Sequence, residues 1–151
     1  MIILSKLADY GVIVATHLAT APERQMTAAT LAKEAKLPRA TVAKVLKTLA
    51  HAGVVAGARG AAGGYRLARP ATSISIAEVV AAIDGAMSLT QCTSSALACQ
   101  RSDYCTTRPH WHRINRAVGT ALSAITVADM VSPFASFATE PARPSRQTVS
   151  P

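Results

Sequence analysis

Apolar residues recur at helical spacing along most of this chain, and the pattern switches once, near residue 55, to short alternating runs. From Ser5 to about Thr20, Leu7, Val14, Ala15 and Leu18 fall roughly on one face and predict a first helix. Pro22-Glu23-Arg24-Gln25 reads as a loop. Thr27 then has the character of an N-cap, with Met26 and Leu31 placed as a hydrophobic staple across it. That second helix runs to about Ala35, and Lys36-Leu37-Pro38 forms a turn. A third helix covers roughly Arg39 to Ala52, with Val42, Val45, Leu46 and Leu49 as its stripe and Gly53 as its stop. Two helices joined tightly, the second one basic, predict a helix-turn-helix.

The alternating part follows at once. Val54-Val55-Ala56-Gly57, a glycine-rich tip from Arg59 to Gly64, and Tyr65-Arg66-Leu67 predict a short β-hairpin. Tyr65 and Leu67 share one strand face and Arg66 takes the other. Helical spacing then resumes. Ser75-Ile76-Ala77-Glu78 is a capping box, with Ile74 and Val79 as its staple, and the helix it opens ends near Asp84-Gly85. A cysteine-bearing loop spans about Ser88 to Thr107. Pro109 suits the first turn of a long helix running to about Val131, striped by Trp111, Ile114, Val118, Leu122 and Ile125. On so short a chain such a helix exposes a face that a second copy would cover. From Ser132 onward the composition predicts a disordered tail.

The expected fold is therefore mainly α: a winged helix-turn-helix with a small hairpin wing, a cysteine loop and a long C-terminal dimerisation helix. The expected domains are 1–72 for DNA binding, 73–108 for the capped helix and cysteine loop, 109–131 for dimerisation, and 132–151 for the tail. Composition sharpens this. Half the residues are hydrophobic but only 4% are aromatic, which suits helices packed through Ala, Leu and Val rather than large rings. The net charge of +8 is concentrated: residues 1–70 hold ten Lys/Arg against three Asp/Glu, and residues 71–151 hold six against five. A cationic helix-turn-helix half predicts a double-stranded DNA partner. Three cysteines and an opening with no secretory or membrane-spanning run predict a reducing, cytoplasmic location without membrane contact.

In the third helix, Arg39, Thr41, Lys44 and Lys47 lie away from the apolar stripe. Arg39 and Lys44 are candidates for base edges, and Lys47 for phosphate. Thr27 and Thr30 are candidates for further phosphate contacts. Arg59, beside glycine at a thin hairpin tip, suits a minor groove, and Arg66 lies on the outer wing face.

Cys92, Cys99 and Cys105 are the only cysteines and lie within 14 residues of one another. Their spacing, Cys-x6-Cys-x5-Cys, lacks the Cys-x2–4-Cys knuckle of structural zinc sites. Three soft ligands spread over wider loops fit an iron–sulfur cluster, 2Fe–2S or 4Fe–4S, better. A fourth ligand must come from elsewhere; Asp9, His110 and, less well placed, His112 are the candidates. A zinc-stabilised DNA-binding protein without sensing remains an alternative. A thiol redox enzyme would need a low-pKa cysteine beside a resolving one, and no Cys-x-x-Cys is present, so no catalysis or small-molecule substrate is expected.

Several stretches together resemble the Rrf2 family of bacterial winged-helix regulators: LSKLADYG, TAATLAKEAKLPRATVAKVLKTLAHAGVV, RGAAGGYRLARP, SISIAEVVAAIDG and the three cysteines, covering roughly residues 3–131. The resemblance is nearest to regulators of SUF-type iron–sulfur assembly. It implies a homodimer on palindromic promoter sites, acting as a repressor whose cluster state sets DNA affinity. It also implies Cys92, Cys99 and Cys105 as cluster ligands. Where the IscR subgroup has a histidine ligand this chain has Arg108; Asp9 matches the aspartate that the NsrR subgroup donates across the dimer. A nitric-oxide-sensing repressor of the NsrR kind is the alternative within the family. Ala43 stands at the position of IscR's base-reading glutamate.

Overall fold

The computed structural model describes residues 4–94, 99–101 and 103–131. The tail expected from Ser132, and residues 95–98 and 102 of the cysteine loop, lie outside the described residues. Ser5, extended, accepts the Ala8 N–H and starts α1, Lys6–Thr20. The inward positions of α1, Val14, Ala15 and Leu18, are fully buried. Thr27 caps α2, Ala28–Ala35, as the sequence predicted, and Met26 and Leu31 are both buried on either side of it. At the end of α2, Lys36 adopts a left-handed conformation with φ 54°. The N–H groups of Lys36 and Leu37 then satisfy the Lys33 and Ala32 carbonyls, the hydrogen-bond pattern that usually carries glycine. α3 is Arg39–His51, and its stripe of Val42, Val45, Leu46 and Leu49 is fully buried. Gly53, at φ 73°, closes α3 in the same way.

β1, Val55–Ala58, and β2, Gly64–Leu67, pair antiparallel with Ala56 opposite Arg66 and Gly57 opposite Tyr65. Met26 adds a third rung: it exchanges two backbone hydrogen bonds with Tyr65, at 2.9 and 2.8 Å. The wing is thus fastened to the entrance of α2. Tyr65 and Leu67 pack on the core while Arg66 is exposed, as their alternation predicts.

α4, Ile76–Asp84, begins at the predicted capping box: Ser75 Oγ accepts the Glu78 N–H and Glu78 Oε2 accepts the Ser75 N–H. Arg69, just after the wing, reaches Glu78 at 2.7 Å and donates to the Ser73 carbonyl. The Ser75 N–H, followed by Arg69, holds the Glu78 carboxyl below its ordinary value of 4.5. A depressed carboxyl adds stability that is present above its unfolded value and lost as pH falls through the folded one. The side chains are partly exposed, so the effect is small. Glu78→Gln is expected to lower urea-unfolding stability at pH 7 by about 1 kcal/mol, with the gap to the unsubstituted protein narrowing as pH falls below 4.5.

The continuous helix expected from Pro109 to Val131 does not form. α5 covers Arg108–Ser123 and a separate α6 covers Val127–Val131. The break has a local cause. Thr126 and Asp129 make a second reciprocal cap, in which Asp129 Oδ2 accepts the Thr126 N–H at 2.7 Å and Thr126 Oγ1 accepts the Asp129 N–H. The freed backbone pairs with the start of α4: Ile76 donates to the Ile125 carbonyl and Val127 to that of Ile74. Val127 becomes fully buried, a gain of about 1.5–3 kcal/mol that a straight helix would forgo. α6 packs against α1, so the last described helix returns to the helix-turn-helix half. Leu122 and Ile125 turn inward with it, leaving Trp111 and Ile114 exposed on α5. Among the described residues, no helix is long and apolar enough to cross a membrane.

Candidate nucleic-acid interface and thiol loop

The buried stripe of α3 fixes which side chains face out. Arg39, Lys44 and Lys47 are exposed and Thr41 is half-buried. Arg24 pairs with Glu34 and Arg69 with Glu78, whereas Arg39, Lys44, Lys47, Arg59 and Arg66 take part in neither pair and present positive charge on this face. Thr27 is already engaged: its hydroxyl accepts the Thr30 N–H at 3.1 Å and bonds the Thr30 hydroxyl at 3.0 Å. Its contribution to this face is to hold the exposed start of α2. Arg59 occupies the wing tip, exposed, at the rim of a cleft shared with Thr27, Ala50 and Tyr65. The tip is compact because Gly63 lies against the Ala58 and Gly60 carbonyls, where a Cβ would come within 2.6 and 2.8 Å. If the tip meets duplex DNA, removing Arg59 should weaken that binding and reduce its salt slope by about one unit for one lost phosphate contact. A fluorescence-anisotropy salt titration of Arg59→Ala measures this, and an unchanged slope removes the tip from the contact set.

The second constellation hangs between α4 and α5. Cys92 lies in a single 3-10 turn, Gln91–Thr93, with Sγ 3.1 Å from the Thr90 hydroxyl. Cys105 Sγ is 3.3 Å from the Thr107 hydroxyl, just ahead of α5. That hydroxyl, then the backbone N–H groups of Thr107 and Arg108, hold the Cys105 thiol below its ordinary value of 9.0. Cys92, Cys99 and Cys105 are all half-buried free thiols. Among the described residues, however, no group of three or more His, Cys, Asp or Glu side chains converges closely enough to hold a metal ion. The sequence anticipates one pocket of three sulfurs; a single chain does not preform it.

The fourth-ligand candidates separate by position. Asp9 is exposed one turn into α1, with no side-chain partner among the described residues. The start of that helix is tied to the end of α4 by Ser5, whose N–H and hydroxyl both donate to Asp84. His110 and His112 are exposed in the first turns of α5. Sequence reasoning missed three contributors. Thr90 and Thr107 stand two residues from a cysteine on either side of the loop, a spacing visible in the sequence. Asn115 reaches back from α5 to Met87 and Leu89; its only advance signal is a polar residue between the apolar positions of that helix.

A winged helix with free cations on its reading face is the architecture of a DNA-binding transcriptional regulator rather than an enzyme. The chain belongs to the Rrf2 family, described as iron-dependent transcriptional regulators, whose model matches residues 4–133. It is 34% identical over 88 residues to the HTH-type transcriptional regulator IscR of Photobacterium profundum, a match covering 58% of this chain and 51% of that protein. IscR of Vibrio vulnificus is 35% identical over 89 residues, covering 59% and 52%. The chain thus spans about half the length of the curated relatives it matches. The structure of IscR from T. potens is 25% identical over 86% of each chain, with a TM-score of 0.67. CymR, the global cysteine regulator of B. subtilis, shares the fold at 24% identity and a TM-score of 0.72, covering 87% of this chain and 97% of that one.

Proposed function

We propose that this chain is a dimeric transcription factor that represses iron–sulfur assembly genes of the SUF type, with an iron–sulfur cluster setting its affinity for DNA. The observation that carries the reading is the donor set: three free thiols in one loop, two of them beside threonine hydroxyls, slung between the reading head and α5. Soft sulfur donors with hydroxyl hydrogen bonds suit such a cluster. Cys92, Cys99 and Cys105 would hold it, and Asp9 of a second copy would complete the set, a role supported by its exposed place one turn into α1 and by its match to the NsrR-type aspartate. When bound, the cluster supplies iron–thiolate bonds joining separate points of the loop and a redox-active iron centre.

The chain's own residues carry the consequence to DNA. α4 packs against both α1 and α3, so a change in the loop that follows α4 bears directly on the helices that set the reading face. On that face, Arg39 and Lys44 read bases with Thr41 beside them, Lys47 and the start of α2 capped by Thr27 and Thr30 meet phosphate, and Arg59 and Arg66 bring the wing to the adjacent groove. Trp111 and Ile114, exposed on α5, supply the apolar surface for pairing two copies over a palindromic site. Such a protein works on cytoplasmic DNA.

Anaerobic purification followed by iron and acid-labile sulfide analysis, then promoter binding with and without the cluster, tests the reading. Iron, sulfide and a cluster-dependent affinity are expected. Stoichiometric zinc in colourless protein, or affinity indifferent to iron removal, overturns it. Asp9→Ala is expected to speed cluster loss in air roughly tenfold or more, while circular dichroism remains unchanged; equal decay rates exclude Asp9 as a ligand.

A further inference from the structure

Two long-range hydrogen bonds single out Asn115. Its Nδ2 donates to the Met87 carbonyl at 3.2 Å, and its Oδ1 accepts the Leu89 N–H at 3.0 Å. A carboxamide offers one donor face and one acceptor face, so a single side chain here grips a backbone segment much as a neighbouring strand would. The gripped segment leads straight to Cys92, and it is held at each step. The Ser88 hydroxyl donates to the Thr90 carbonyl at 2.8 Å, the Thr93 hydroxyl accepts the Thr90 N–H at 3.2 Å, and the Thr93 N–H donates to the Thr90 carbonyl at 3.0 Å. The Thr90 hydroxyl finally meets Cys92 Sγ. Cys105 needs no such device, because it lies three residues before α5. Cys92 follows α4 and lies 23 residues before Asn115, yet this chain of bonds references it to α5 as well.

We infer that Asn115 is a positioning residue that fixes Cys92 to α5, so that movement of this thiol and movement of the exposed apolar face of α5 are coupled. Trp111, the sole tryptophan, lies one helical turn before Asn115 on that helix. Displacing the Cys92 turn therefore reaches the surface through which two copies would pair, and by reciprocity pairing constrains Cys92. The regulatory meaning of this joint rests on the reading of Cys92 as a cluster ligand; the joint itself does not.

The test uses the full chain, metal-free, with Cys99→Ser and Cys105→Ser so that iodoacetamide reports Cys92 alone. Adding Asn115→Ala is expected to raise the Cys92 alkylation rate roughly tenfold, because two hydrogen bonds that close the segment are lost. Alkylation should shift Trp111 emission when Asn115 is present and leave it unmoved in Asn115→Ala. An unchanged rate, or the same emission response in both proteins, overturns the inference. Should Asn115→Ala fail to fold, amide exchange in the unsubstituted protein decides: a protected Leu89 N–H supports the bracket, and free exchange overturns it. The two proposals fail separately. A protein that binds no iron but keeps a bracketed Cys92 loses only the cluster reading, whereas one that binds iron with Cys92 unbracketed loses only the joint.

Discussion

Cys99→Ala is expected to strip the anaerobically purified protein of iron and acid-labile sulfide while leaving its unfolding free energy within about 0.5 kcal/mol of the original. The two halves of this outcome come from different parts of the structure. Cys99 is half-buried and stands apart from the core, which is built from α1 to α4, the start of the wing and Val127. Truncating it opens no cavity among those buried side chains, so the substitution behaves as a surface change. The donor set has no such redundancy. In the proposed set of three thiols and one weaker ligand, losing one thiol leaves too few soft donors for an iron–sulfur cluster. Even the loss of an outer hydrogen-bond partner of a metal ligand typically costs 10- to 100-fold in affinity, so the loss of a ligand should exceed about that range. Iron and sulfide analysis with urea unfolding on the same preparation reads both halves. A full complement of iron in Cys99→Ala removes Cys99 from the ligand set.

Much of this architecture is legible in the sequence because it rests on local signals that agree with one another. Thr27, Ser75 and Gly53 each mark a helix end by its capping chemistry, and the stripe from Val42 to Leu49 names the core face of α3 without reference to the rest of the fold. The break between α5 and α6 is hidden in the sequence for an equally physical reason. Leu122 and Ile125 continue the spacing of Trp111, Ile114 and Val118, and periodicity alone does not reveal that the later pair packs on a different surface from the earlier ones. The sign of the break was Thr126-x-x-Asp129, the same kind of cap that marked α4, here hidden inside an apolar repeat. At the site, the thiols and reading-face cations announce themselves by residue type. Asn115 and the Met26–Tyr65 rung do not, because each makes sense only once distant segments are adjacent in space.

That Met26–Tyr65 rung supports the other large prediction. Gly64→Ala should destabilise the protein by about 3 kcal/mol and also weaken promoter binding, whereas Gly53→Ala should cost only about 1–2 kcal/mol. Both glycines hold positive φ, 155° and 73°, so alanine is strained at either position. They differ in the space available. At Gly53 a Cβ meets nothing within 4 Å. At Gly64 it lies 2.9 Å from the Met26 carbonyl carbon and oxygen and 3.1 Å from its nitrogen, all backbone atoms that no rotamer change can clear. Relief requires β2 to withdraw from Met26, which breaks the two hydrogen bonds between Met26 and Tyr65. Each such bond is worth about 1 kcal/mol net, and the backbone strain adds about as much again. The functional effect follows from what that rung fastens. Arg59 and Arg66 sit on the same hairpin, so a wing freed from the entrance of α2 no longer presents them at a fixed distance from Arg39 and Lys44 on α3. Urea unfolding of the two variants, paired with anisotropy on promoter DNA, separates the contributions. Equal losses of stability at the two glycines would mean that strain alone matters and that Met26 yields freely. A destabilised Gly64→Ala that binds DNA as tightly as the unsubstituted protein would detach the wing from recognition.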